Sequence, residues 1–272
     1  MWVLTCKMLP TLRPGALTDL PPTLLRQRTF LPEGSDLSHL LLGSVHLRND
    51  GDGPADLPLL PTGGVMLLFP HRGTAWLCGP LSTAHALTLE PGDTVYGVLL
   101  QWDCGDWLWN RSLTALENAM VPLEPLLPGS DLLGPALHRC ATEQEQSALV
   151  ARLLTLHGAR QYRSAPLLHR CLALIRDRQG QVRVAELAEL LGCSERYLNR
   201  LLRQKVGLST KTVCELWQLY RMLELLGEAP AKSLLHTAVS GGYFDQAHMN
   251  RHCRRFLGCS ASTLRALHGL TW

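Results

Sequence analysis

Arginine and carboxamide side chains at helical spacing are the residues of this 272-residue chain best placed to do recognition chemistry. One set is Arg196, Asn199, Arg200, Arg203 and Lys205; the other is Gln246, His248, Asn250, Arg251, Arg254 and Arg255. A guanidinium fork pairs bidentately with a guanine edge and a carboxamide with an adenine edge, while spare Arg and Lys grip phosphate. The two sets are copies. Leu198–Ser209 (LNRLLRQKVGLS) recurs 51 residues on as Met249–Ser260 (MNRHCRRFLGCS). Asn199/Asn250, Arg200/Arg251, Arg203/Arg254, Gly207/Gly258 and Ser209/Ser260 stand in register. Repetition of this kind signals one supersecondary unit used twice.

The elements that must position these side chains are helices. Leu187, Leu190 and Leu191 form an apolar stripe at helical spacing, Gly192 and Cys193 break it, and Ser194 stands as the N-cap of a second helix. That helix buries Leu198, Leu201 and Leu202, turns Arg196, Asn199, Arg200 and Arg203 outward, and ends at Gly207. Two short helices, a tight turn and a basic, amide-rich outer face describe a helix-turn-helix. A single copy would read equally well as a helical hairpin with a solvated charged face; two copies in register favour DNA binding.

Residues 164–268 resemble the DNA-binding module of the AraC/XylS family of transcription regulators, in which a connecting helix joins two helix-turn-helix units. Val184–Gly192 resembles its first scaffold helix and Ser194–Lys205 its first recognition helix. In the second unit Ala238, Gly242, Tyr243, His248, Met249 and Arg251 fill the family's signature places. Gly241, Met249, Cys253 and Ala261 depart from it, and the expectation is a second unit that is looser or reads sequence less strictly.

Helical spacing assigns Arg196, Asn199 and Arg200 to base edges in the first unit, with Arg203 and Lys205 on phosphate. In the second unit Gln246, His248 and Arg251 are the base-edge candidates, and Asn250, Arg254 and Arg255 the backbone ones. The alternative for the repeated Arg200/Arg251 pair is an ion pair inside the module. A connecting helix from about Ser209 to Gly227 rises roughly 28 Å. Successive major-groove entries on one face of DNA lie ~34 Å apart. Trp217, Leu216, Leu219, Leu223 and Leu226 are expected to fasten that helix to both units, with Gln218 and Arg221 facing outward.

Charge agrees in sign. Gln181–Trp272 carries 12 Lys and Arg against 7 Asp and Glu, a balance of +5, while the preceding residues balance at −2. A modest basic surplus on the repeat is what a nucleic-acid footprint requires. Nine cysteines (6, 78, 104, 140, 171, 193, 214, 253 and 259) show neither C-x-x-C nor an even framework, so they read as reduced small hydrophobes. No residue set has zinc-site spacing. Pro10 and Pro14 interrupt the N-terminus too early for a signal-peptide core, and no run of eighteen apolar residues exists. A cytoplasmic protein without a membrane span is expected.

Ahead of the module the texture is β. Leu40–Leu47, Gly64–Pro70, Trp76–Gly79, Ala86–Leu89 and Tyr96–Trp102 are short apolar runs punctuated by turns such as Asn49–Pro54 and Glu90–Asp93. A small barrel or sandwich follows. Leu60–Phe69, Cys78–Pro80, Tyr96–Trp102 and Val121–Pro125 resemble a cupin-like domain often found ahead of AraC-type modules, but a cupin metal set of several His plus Glu is not recognisable. From Leu132 to His157 helical period returns, with Thr142–Glu145 as a capping box; these helices suit a dimer seam and packing on their own barrel equally. Pro166 suits the first turn of a helix over Leu167–Arg178.

The fold class is therefore α+β: a β-rich cupin-like N-terminal barrel or sandwich followed by an all-α tandem helix-turn-helix module. The division is a lead-in (1–34), a regulatory or sensor domain (35–130), a helical connector (131–162) and a DNA-binding domain (163–272) with units at 183–206 and 232–257. The function expected is sequence-specific transcription regulation controlled through the N-terminal domain, a control that the family resemblance implies. The alternatives are an N-terminal domain that only dimerises, and an enzyme with a DNA-targeting tail. The first 160 residues carry no phosphate loop, HExxH, GxSxG or paired-carboxylate motif. No catalytic or metal residue and no cofactor are expected. The expected partner is double-stranded promoter or operator DNA. RNA polymerase, a small-molecule effector and a second copy of the chain are further candidates, and the effector-binding residues are unknown.

Overall fold

Met66 and Leu68 turn to one side of their strand, Leu67 and Phe69 to the other, and all four are buried. That alternation organises the N-terminal half of the computed structural model, which describes residues 7–8, 37–109, 111–228 and 233–266. The strands are β1 (Lys7–Met8), β2 (Leu41–Arg48), β3 (Ala55–Leu59), β4 (Met66–Pro70), β5 (Trp76–Cys78), β6 (His85–Leu89), β7 (Thr94–Leu100) and β8 (Ala119–Pro122). Six form one antiparallel sheet in the order β1-β8-β5-β4-β7-β2, and β3 pairs with β6 in a second. Leu47, Met66, Leu68 and Val95 meet Leu57, Leu59 and Leu89 between the two sheets. Leu67, Phe69, Tyr96 and Val98 face two helices on the other side.

Those helices are α1 (Ser130–Arg139) and α2 (Glu143–Leu156). Leu133, Leu137, Val150 and Leu154 join the strand residues in one buried cluster, so the connector packs on its own β structure. The Thr142 capping box is complete, with both reciprocal hydrogen bonds made. Three strands are absent from the sequence reading: β1, β3, which contains Pro58, and β8. Of the lead-in only Lys7 and Met8 are described, and they pair with Met120 and Ala119 as a strand of the large sheet.

The helical module follows as α3 (Pro166–Asp177), α4 (Val184–Leu190), α5 (Glu195–Lys205), α6 (Thr210–Glu228), α7 (Leu234–Ser240), α8 (Gln246–Leu257) and α9 (Ala261–Ala266). Pro166 occupies the first turn of α3, where a missing N–H costs nothing. One apolar cluster runs through Ile175, Leu187, Leu198, Leu202, Leu219, Leu223, Ala238, Met249 and Phe256. At about 1.5–3 kcal/mol per fully buried large aliphatic or aromatic side chain, this cluster holds the seven helices α3–α9 in one body. Leu190 of the expected stripe is instead 46% exposed. Cys171, Cys214 and Cys253 lie inside, and burial pushes each thiol up to about 12, so they serve as packing groups.

Candidate nucleic-acid interface

Helices α5 and α8 each begin at a side-chain cap. Ser194 accepts the Tyr197 N–H at the start of α5, and Asp245 accepts the His248 N–H at 2.6 Å at the start of α8. On α5 the buried stripe is Leu198 and Leu202. Arg196, Arg200 and Arg203 follow one another at i, i+4 and i+7 on the opposite face, and all three are exposed. Arg200 lies over the Tyr197 ring at 5.3 Å, which holds the guanidinium on that face. On α8 the buried stripe is Met249, His252, Cys253 and Phe256, and Arg251 and Arg254 share the exposed face at i and i+3. Gln246 is exposed in its first turn. The family departures Met249, Cys253 and Ala261 are fully buried.

Other candidates have structural work. Asn199 Oδ1 accepts the Thr210 backbone N–H at 3.2 Å, and Asn250 Oδ1 accepts that of Ala261 at 3.0 Å. The repeated Ser209 and Ser260 accept N–H groups in the same first turns, from Thr212 and Thr263. In each unit one Asn and one Ser therefore cap the following helix. His248 is half-buried, edge-on to the Tyr243 ring at 5.3 Å, and its Nδ1 accepts the Phe244 N–H. Arg255 pairs with Glu215 of α6 at 2.9 Å. Lys205 stands seven residues after Leu198, on the inner stripe, and pairs with Asp106 of the β-rich half at 2.5 Å.

Gln218, expected to face outward, donates to the Gly241 and Gly242 carbonyls and ties α6 to the second unit's turn. Trp217 stacks on Trp102 of the β-rich half, with ring centroids 5.2 Å apart. Capping by a Ser, Asn or Asp side chain is worth about 1 kcal/mol. Asn199→Ala and Asn250→Ala are each expected to lower unfolding stability by about that amount while leaving base preference at every operator position unchanged. Urea unfolding and competition binding measure the two; a change of base preference without loss of stability would contradict the capping role.

Among the described residues, no group of three or more His, Cys, Asp or Glu could hold a metal ion, and no helix is long and apolar enough to cross a membrane.

Comparison with known proteins places these observations. A family model described as a helix-turn-helix domain matches residues 187–266. An apo point variant of ToxT from Vibrio cholerae is similar in fold, with a TM-score of 0.51 at 9% identity, covering 86% of this chain and 98% of that one. The C-terminal domain of AraT, a response regulator from Geobacillus stearothermophilus, aligns at 22% identity and a TM-score of 0.37, covering 40% of this chain and 92% of that one. No curated protein sequence matches the chain.

Proposed function

We propose that this chain, a DNA-binding transcription regulator whose residues 187–266 form an AraC-type helix-turn-helix domain, reads two adjacent major-groove segments under the control of its N-terminal domain. Arg196 and Arg200 read base edges from α5, with Arg203 on phosphate. Gln246 and Arg251 read base edges from α8, with Arg254 on phosphate. The observation that carries this reading is the exposed arginine row of α5 matched in register by Arg251 and Arg254 of α8, both helices belonging to units built on α6. At 19 residues α6 spans roughly 28 Å, close to the ~34 Å between major-groove entries on one DNA face.

The chain acts in the cytoplasm by binding, with no catalytic step of its own. Residues 35–130 form the regulatory domain and 131–162 its helical connector. Control would be exerted at the contacts of the β sandwich with the module. A cleft of about 250 Å³ lies there, lined by Asp106, Trp109, Arg111, Ser112, Gln204 and Lys205, and a small-molecule effector would act at that seam. RNA polymerase and a second copy of the chain are further partners in this reading.

The test is retention of sheared DNA from the source organism on the purified protein at two salt concentrations, with the retained fragments sequenced. A recurrent site of two blocks about one helical turn apart is expected. Retention without a recurrent site, vanishing steeply with salt, would reduce the interaction to phosphate contacts and overturn base reading. Arg196→Ala is expected to cost about 1–3 kcal/mol on the cognate site and to relax preference at one position. An equal loss on all sequences would remove Arg196 from the base-reading set.

A further inference from the structure

The β-rich half touches the module at both reading units and at the helix between them. At the end of α5, Lys205 Nζ meets Asp106 Oδ2 at 2.5 Å, and the Thr114 hydroxyl donates to the Arg203 carbonyl at 2.7 Å. At α6, Trp102 stacks on Trp217 and the Tyr220 hydroxyl donates to the Pro61 carbonyl at 2.5 Å. At the end of α8, the Ala84 N–H donates to the Phe256 carbonyl at 2.7 Å. Ala84, Ala86 and Trp102 belong to the same buried cluster as the module's own core.

The charged contact is built from both sides. Asp106 is only 17% exposed and also accepts the Tyr162 hydroxyl. Burial, and then the Asp106 carboxylate, push the Tyr162 phenol far up, so it remains a donor. Tyr162 lies in the stretch between α2 and α3; Ser164 of that stretch and His169 of α3 bond to Asp103 at 2.7 and 2.8 Å. The segment joining the two halves is thus pinned to the loop that carries Asp106. Lys205 faces away from the arginine row of α5, so its pairing leaves that row open to DNA.

We propose that Asp106 and Lys205 are positioning residues for DNA recognition: through them the N-terminal domain acts as a strut that fixes the distance between the two reading heads. The proposal rests on the two-headed reading above. The first unit is anchored to α6 by its apolar face and to the β-rich half by Lys205 and the Arg203 carbonyl. The second unit is anchored to α6 by Gln218 and Arg255 and to the β-rich half by the Phe256 carbonyl. Two independent connections between the heads restrict their spacing more than α6 alone. Successive nucleotides advance ~3.4 Å along the duplex, so slack of that size moves one head by a whole base pair.

The experiment measures full-length protein on duplexes carrying the two recovered blocks, at the natural spacing and at one base pair shorter and longer. Wild type, Asp106→Asn and Thr114→Val are compared, with a thermal melt of each. Asn keeps an acceptor for Tyr162 but removes the charge facing Lys205; Val keeps the shape of Thr114 but removes its donor to α5. Neither residue lies on the DNA face. Wild type is expected to prefer the natural spacing, and the ratio of natural to shifted affinity is expected to fall by about fivefold in Asp106→Asn and in the same direction in Thr114→Val. Equal weakening at every spacing, or no change in either variant, would reduce the pair to a structural contact and overturn the proposal. Wild type indifferent to spacing would instead sink the two-headed reading, and the strut with it.

Discussion

Gly207→Ala is expected to destabilise the protein by on the order of 3 kcal/mol, whereas Gly258→Ala, at the matching place in the repeat, costs about 1 kcal/mol. Both glycines sit just past a reading helix with φ in the left-handed region, +87° and +71°. A side chain there costs ~1–2 kcal/mol of backbone strain in either copy. The surroundings differ. A Cβ on Gly207 would stand 2.5 Å from Pro80 Cγ and 2.9 Å from the Leu113 carbonyl oxygen, while a Cβ on Gly258 would meet nothing within 4 Å. Leu113 is fully buried and presents backbone, so relief requires the seam between the β-rich half and α5 to open. Overpacking of that kind adds ~1–3 kcal/mol. Urea unfolding of the two variants decides it: equal losses would mean that the seam does not close on the first unit.

His252 supplies the second large effect. It is 7% exposed, bonded through Nδ1 to the Tyr243 hydroxyl at 2.8 Å and packed edge-on to Phe256 at 4.7 Å. Burial first, then the charges of Arg255 and His248, hold its pKa down at about 4 against 6.5 for the free side chain. Between those values the unfolded chain binds a proton that the folded chain refuses. Stability from this site is therefore complete above pH 6.5, falls as the pH drops through the window, and levels off below about 4. The loss across the window is on the order of 3 kcal/mol. His252→Gln, which keeps an acceptor for Tyr243, is expected to remove that slope. Urea unfolding of both proteins above, within and below the window gives the difference, and a difference independent of pH would contradict a buried neutral histidine.

Local rules carried the sequence reading furthest. The Ser194 cap, Pro166 in a first helical turn and the Thr142 capping box involve residues within one turn of each other, and each stands in the structure. The repeat was legible because its residue types recur in register 51 residues apart. Its meaning was less so, because Asn199 and Asn250 also cap the backbone eleven residues ahead, a contact that helical spacing alone does not show. A signal was present: a helix junction used twice needs the same cap twice, and Asn199 and Ser209 recur together as Asn250 and Ser260. The strand β3 escaped because Pro58 removes a ladder donor and pairing with β6 alone makes it an edge strand. Lys205 and Trp217 escaped for a tertiary reason. Helical spacing says that a residue leaves the outer face, but only the docked β-rich half supplies Asp106 and Trp102.

A base-resolution hydroxyl-radical footprint of the full-length protein on a recovered fragment tests the central claim most directly. Two protected patches on one face of the duplex, about one helical turn apart, are predicted, with Arg200→Ala weakening one and Arg251→Ala the other. A single patch, or both variants weakening the same one, would show that the second helix-turn-helix unit does not enter a groove.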